Sequence, residues 1–216
     1  MRVVPFATER EQRAALDPVA RHLRAGGLIV YPTETVFGMG STVDPAAVAR
    51  LRSLKQRDEV KPFLLLVSDE SQAPGLEWNA TARRLAQAFW PGPLTLVLND
   101  AEGRYPEGVA SAAGGVALRR TSHAGVRTLL DALGAPITST SANPPGAPPA
   151  RTSAEARSAL DVLAGEAGAE VWLLDGPAGG AAPSTVVDCT GPRARLVRAG
   201  AVPVEKLREV VDVVEG

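Results

Sequence analysis

Apolar positions recur along this chain in two ways, at helical spacing and in short continuous runs, and the two alternate from end to end. Between residues 9 and 25, Ala14, Leu16, Val19, Ala20 and Leu23 stand among charged residues at helical intervals, and Gly26-Gly27 closes the segment. The run LIVY at 28–31 follows at once and predicts a short buried strand. Asp44 and Pro45 read as an N-cap and a first-turn residue for a helix striped by Val48, Leu51 and Leu54. A second apolar run at 63–67 suits a strand buried on both faces. Beyond it the pattern predicts a helix over 80–89 ending at WPGP, a strand over 94–98 and a strand over 116–119. A helix over 122–133, closed by Gly134, and a strand over 136–140 come next. Thr152 or Ser153 would cap a helix reaching 163, and strands are expected at 171–174, 184–188 and 195–198. A terminal helix over 203–214 would pack through Val204, Leu207, Val210 and Val211. The segment 99–115, rich in Gly, Ala and charge, reads as a long loop.

No internal repeat or low-complexity linker interrupts this order. Strands joined partly by helices and partly by loops indicate an α/β fold with a single-domain twisted mixed sheet and flanking helices, spanning 1–216. At 216 residues, 45% of them apolar and 22% charged, the chain can bury one core of ordinary size. The formal charge of −1 supplies no global basic field for gripping nucleic acid. A lone cysteine, Cys189, excludes an internal disulfide and a cysteine-based metal cluster, and reads as a small buried hydrophobe. The opening MRVVPFATEREQ carries no long apolar run, so neither a signal peptide nor a membrane contact is expected, and a cytoplasmic location is.

Polar residues collect where predicted strands end. Thr33, Glu34 and Thr35 follow the LIVY strand and Pro32; Ser139, Ser141 and Asn143 follow or close the strand at 136–140; Ser184 and Thr185 open a later one. Cations stand in comparable places at Lys55, Arg57, Lys61, Arg119 and Arg198. If one face of the sheet gathers these ends, the result is a cleft of hydroxyl donors and positive charge, which suits a polyphosphate. No phosphate-binding G-x-x-x-x-G-K-[ST] loop is present, and GMGSTV lacks the third glycine of a dinucleotide fingerprint. His22, His123 and Cys189 match no metal-ligand spacing. His22 reads as helix surface, and His123 either as a helix N-terminal residue or as a neighbour of the cleft.

YPTETVFGMG, LKQR with KPF following, FWPGPLTLVL, VALR with His123, STSAN, PSTVVD and LVRAG, in that order, resemble the YrdC family of threonylcarbamoyl-AMP synthases over about residues 28–200. The resemblance implies a YrdC-like fold of the short, single-domain form. It also implies a nucleotidyltransferase that converts L-threonine, bicarbonate and ATP to L-threonylcarbamoyladenylate and pyrophosphate. The product feeds threonylcarbamoyladenosine formation at tRNA position 37. By matching motifs, Thr33, Thr35, Arg119, Ser139 and Thr185 would bind threonine. Lys55, Arg57, Lys61, Ser141, Asn143 and Arg198 would hold ATP, with Lys55 and Arg57 as the catalytic pair. Mg²⁺ would enter with ATP, with no metal ligated by the protein. The implied partners are a downstream threonylcarbamoyl transferase complex and, weakly, tRNA or other RNA. The chain departs from the family pattern in Asp58, which stands where proline is usual, in Leu66, which stands where histidine is common, and in lacking proline between Arg119 and His123. A YciO-like paralogue, or an RNA-binding module of the same fold, stays open as the alternative.

Overall fold

The apolar runs pair into one sheet, and the periodic segments lie on its faces as helices. The structure, a computed structural model, describes residues 1–56, 61–164, 170–180 and 182–215. Its elements are β1 (Arg2–Pro5), α1 (Glu9–Arg24), β2 (Leu28–Tyr31), β3 (Gly38–Gly40), α2 (Pro45–Leu54), β4 (Leu64–Val67), β5 (Leu76–Glu77), α3 (Ala80–Phe89), β6 (Leu94–Asp100), β7 (Gly115–Arg120), α4 (Ala124–Leu133), β8 (Ile137–Ser141), α5 (Ser153–Ala164), β9 (Val171–Asp175), β10 (Thr185–Asp188), β11 (Ala194–Arg198), α6 (Val204–Arg208) and β12 (Val213–Glu215). The strands form one 12-stranded sheet in the order β1-β9-β2-β3-β8-β4-β7-β6-β10-β11-β12, with β5 paired to β6 beside this path. Parallel and antiparallel pairs mix, as the irregular connections require.

Local chemistry sets the helix ends. Thr8 and Glu11 close a reciprocal capping box on α1, and Asp44 accepts from Ala46 and Ala47 at the start of α2. Asn79 caps α3. His123 caps α4, its Nδ1 accepting from the Val126 N–H, so the helix-terminal reading of this residue holds.

Two hydrophobic clusters lie on opposite faces of the sheet, and their extents differ. The larger one takes Val116 and Leu118 of β7, Leu94, Leu96 and Leu98 of β6, Val187 of β10 and Ala194 of β11, together with α2, α3 and α5. The smaller one joins α1 and α4 to Val4, Ile29, Tyr31, Leu66, Ile137, Trp172 and Leu174, covering β1, β9, β2, β8 and β4. On this second face neither cluster has a member from β7, β6, β10 or β11 among the described residues. Among the described residues, half of one sheet face is therefore left without a helical cover.

Several elements differ from the sequence expectation. β1 is four residues long and pairs with β9, far along the chain, so no local period announces it. Gly38 and Gly40, for which the pattern predicts no strand, form strand β3: a Cβ at Gly40 would lie 1.9 Å from the Thr138 carbonyl oxygen, so glycine is what allows this close pairing. The expected terminal helix stops at Arg208, and Val213–Glu215 instead adds a parallel strand beside β11, as a valine-rich segment favours. The loop between β6 and β7 is pinned, with Val109 buried and the Phe63 N–H donating to the Gly108 carbonyl.

Candidate functional site

Strand alternation decides what faces the uncovered half of the sheet. Val116 and Leu118 point into the larger core, so Ala117 and Arg119 point the other way; the same rule sends Thr95 and Val97 of β6 to the open face. Ser139 shares the face of Ile137 and Tyr31 by its position on β8. Polar groups at the rim of the smaller core thus meet polar groups on the bare strands.

The turn after β2 forms one wall. Thr33 Oγ1 donates to the Val36 carbonyl at 2.7 Å and accepts from the Thr35 N–H, which commits this hydroxyl to shaping the turn. Thr35 Oγ1 lies 2.9 Å from Thr33 Oγ1 and accepts from Arg119 Nη2 at 3.2 Å. Glu34 turns its carboxylate to Arg119, 2.8 Å from Nη2, and accepts from the Thr121 hydroxyl at 2.6 Å. Burial alone would raise the Glu34 pKa; the Arg119 charge and the Thr121 hydrogen bond outweigh it and hold the carboxyl below its ordinary range. Of the expected threonine-side residues, Thr33, Thr35, Arg119 and Ser139 are brought together, with Thr33 as the support. Glu34 and Thr121 complete the group and were not among the expected site residues.

A second wall comes from β10 and β11. Ser184 Oγ lies 2.8 Å from Thr95 Oγ1, and Arg198 Nη2 donates to the Ser184 carbonyl at 2.8 Å and to its hydroxyl at 3.1 Å. Arg198 shares parity with Ala194 and Leu196, which face the larger core. A bulge between the Val186↔Arg198 and Val187↔Leu196 pairs, with Val197 as the extra residue, re-aims the guanidinium to the open side. Thr185 corrects an expectation. It sits on the opposite face from Ser184, fully buried, donating to the Val202 carbonyl at 2.7 Å and accepting from the Val202 N–H. Its hydroxyl ties β10 to the segment after β11 and does not line the cleft; Ser184 occupies the place expected of it.

Lys55 follows α2 and is 7% exposed. Its ammonium donates to the Ser141 carbonyl at 2.9 Å and to the Asn143 carbonyl and side chain. Asn143 also accepts from the Ser141 hydroxyl and donates to the Pro144 and Ala147 carbonyls. Lys55 is thus a clamp on the loop that leaves β8. Arg57 and Asp58 lie outside the described residues. Lys61 is exposed just before β4, and Leu66 is buried in register with Arg119.

The cleft carries a concentration of positive charge. Desolvation, followed by the charge of Arg119, lowers the Arg198 pKa, so the two guanidiniums act on each other across the open face. Such a pair favours an anion between them. Burial lowers the His123 pKa, outweighing the Pro177 carbonyl and the Glu34 charge, which act to raise it. Burial pushes the Cys189 thiol up to about 12, which leaves it inert. Among the described residues no cluster of three His, Cys, Asp or Glu could hold a metal, and no helix is long and apolar enough to cross a membrane.

The chain as a whole is similar to known proteins. Residues 21–200 match the Sua5/YciO/YrdC family model, described as telomere recombination. The chain is 44% identical over 178 residues to a threonylcarbamoyl-AMP synthase of Chromohalobacter salexigens, covering 80% of this chain and 90% of that one. It is 38% identical over 181 residues to that of Alkalilimnicola ehrlichii, covering 83% and 93%. Among solved structures it resembles P. abyssi Sua5 complexed with L-threonine, with a TM-score of 0.84 and 29% identity over 99% of this chain and 62% of that one. This chain therefore spans less than two thirds of that relative. E. coli YciO shares the fold, with a TM-score of 0.79 at 24% identity over 95% of this chain and 98% of that one. The chain belongs to the Sua5/YciO/YrdC family.

Proposed function

We propose that this protein is a threonylcarbamoyl-AMP synthase, a nucleotidyltransferase that joins L-threonine, bicarbonate and ATP. The threonine amine adds to bicarbonate carbon with loss of water, giving a carbamate. A carbamate oxygen then attacks the α-phosphorus, the bond to the β-phosphate oxygen breaks, and pyrophosphate leaves. The observation that carries this reading is the single open face holding Arg119, Thr35 and Ser139 at one end and Arg198 and Ser184 beside them. A carboxylate-sized and a phosphate-sized anion can be held there together.

The reacting carbamate is already an anion, so the step needs charge stabilisation and alignment more than a strong base. Arg119 would pair with the amino acid's carboxylate, with Thr35 and Ser139 as hydroxyl partners. Arg198, Ser141, Asn143, Arg57 and Lys61 would hold the triphosphate, with Lys55 fixing the Ser141–Asn143 turn. The donors in this cleft are cationic groups and hydroxyls, which fits a nucleotide that brings its own Mg²⁺. That ion would supply charge neutralisation at the phosphates. The product would pass to a downstream threonylcarbamoyl transferase complex for addition at tRNA position 37, in the cytoplasm.

The test is to incubate the pure protein with ATP, L-threonine and labelled bicarbonate. Threonine-dependent release of pyrophosphate, with the label in an adenylated product, is expected. Pyrophosphate release that ignores threonine, or none at all, would overturn the proposal in favour of a YciO-like activity or an RNA-binding role.

A further inference from the structure

Among the described residues, only two buried side-chain polar atoms lack a hydrogen-bond partner, the hydroxyls of Tyr31 and Ser68. Tyr31 ends β2, and its ring is fully buried in the smaller core. A phenol in that place costs stability unless something uses it, because phenylalanine would fill the same space without an unpaired donor. The surroundings are nonetheless arranged around it. Gly38 pairs with Tyr31 across β2 and β3, and a Cβ there would lie 2.9 Å from Tyr31 Cζ and 3.1 Å from its hydroxyl oxygen. Arg119 and Glu34 act electrostatically on the phenol, and Ser139 acts on it from hydrogen-bonding range, although the geometry of that contact falls short of a formed hydrogen bond. Ser139 itself is buried on the face shared with Tyr31, at the amino-acid end of the cleft.

A serine hydroxyl has one proton to donate and lone pairs to accept with. When it donates to an anion, a second donor behind it strengthens that bond by polarising the chain. We propose that Tyr31 is a positioning residue for the amino-acid substrate: once substrate is bound, its phenol donates to Ser139 Oγ, and Ser139 donates its own proton to the substrate carboxylate. This rests on the amino-acid reading of the cleft given above. The unpaired phenol of the free protein is then a hydrogen bond kept in reserve for the complex.

The consequence is a pair of effects with opposite sign. Tyr31→Phe removes an unpaired buried oxygen from the free protein, so its melting temperature rises by about 1–4 °C. The same change weakens L-threonine binding, measured by calorimetry, about tenfold. In Ser139→Ala the relay is already broken, so adding Tyr31→Phe to it leaves the threonine affinity unchanged. A purely structural tyrosine would move the melting temperature and leave the affinity alone. Wild-type affinity in Tyr31→Phe overturns the proposal, and so does a lower melting temperature, which would mean that the phenol is already bonded in the free protein. Failure of the wild-type protein itself to bind threonine overturns the amino-acid reading and this proposal with it.

Discussion

Arg119 Nη2 stands 2.8 Å from Glu34 Oε1, and this ion pair joins the turn after β2 to β7 at the rim of the open sheet face. The Arg119 side chain is only 6% exposed, so removing the carboxylate strands a guanidinium with no counter-charge. Glu34→Ala is expected to cost about 3 kcal/mol in urea denaturation. Glu34→Gln keeps the shape and loses the charge; it should cost less stability while raising KM for threonine about tenfold, because Arg119 is then poorly aimed. Unchanged KM in Glu34→Gln would remove Glu34 from the substrate site. The Glu34 pKa is depressed in the folded protein, so its stabilisation is present above the ordinary carboxylate pKa of about 4.3 and lost as pH falls below it.

Neighbouring hydroxyls on β10 and at its start separate substrate contact from structure. Ser184 faces Thr95 and Arg198, whereas Thr185 is bonded to Val202 on the opposite face. Ser184→Ala should lower kcat/KM about tenfold with little change in unfolding midpoint. Thr185→Val should do the reverse, costing about 1–3 kcal/mol of stability through the unpaired Val202 groups, while the folded enzyme keeps its kcat. Equal kinetic losses in the two variants would contradict the assignment of faces.

How much of this could be read from the sequence depends on whether a residue's orientation follows from local alternation. The Ser184 and Thr185 distinction was available: Val187 and Cys189 are apolar at alternate positions while Asp188 is charged, so Thr185 shares the core side and Ser184 the side of Asp188. Arg119 follows from Leu118 in the same way. Arg198 does not, since alternation with Leu196 points it toward the core and only the bulge turns it out. The clamp made by Lys55 was hidden for a different reason. Its acceptors are mainly backbone carbonyls, which carry no residue signature, so the sequence shows Lys55 only as one more cation near a strand end. β1 and β12 were missed because both are short edge strands whose partners come from elsewhere in the chain. Helices α1, α2 and α3 were legible almost to the residue, because capping residues and period agree at the same boundaries; α6, which has no side-chain cap, ends six residues before the expected boundary.

Lys55 offers a sharper kinetic test than its charge alone would suggest. Lys55→Met retains the apolar stem but removes the ammonium that bridges the Ser141 and Asn143 carbonyls. The loop after β8 should then lose its fixed shape, and kcat/KM for ATP should fall by about 10²-fold, roughly 3 kcal/mol of transition-state stabilisation. Lys55→Arg, with a differently shaped head, should rescue only part of that loss. A Met variant with wild-type ATP kinetics would show that the clamp is dispensable.

The His123 cap makes a pH-dependent prediction. Its folded pKa lies below the ordinary value of about 6.5, with burial as the main cause, and Nδ1 must be unprotonated to accept from Val126. A depressed folded pKa means that the stabilisation is present above about pH 6.5 and is lost as pH falls below it. The wild-type melting temperature should therefore drop between pH 7.5 and pH 5.5 more than that of His123→Asn, because asparagine caps a helix without titrating. Parallel pH curves for the two proteins would rule out His123 as the source.

Gly179 shows how the glycine-rich loop after β9 fixes the turn that carries Thr33, Glu34 and Thr35. The Gly179 N–H donates to the Thr33 carbonyl at 2.8 Å, and a Cβ at Gly179 would lie 1.9 Å from the Glu34 carbonyl oxygen and 2.4 Å from its carbonyl carbon. These are backbone atoms, so no side-chain rotation can relieve the clash; either the loop or the turn must move. The turn has more to lose, since Thr35 and Glu34 both hold Arg119. Gly179→Ala should accordingly lower stability by about 1–3 kcal/mol, in the range of overpacked sites. It should also raise KM for threonine more than KM for ATP, because the displaced turn lies beside Arg119 rather than at the Lys55-held loop. Steady-state kinetics with each substrate varied in turn would decide it, and an equal rise in both KM values would mean that the loop supports the whole cleft and not the amino-acid end alone.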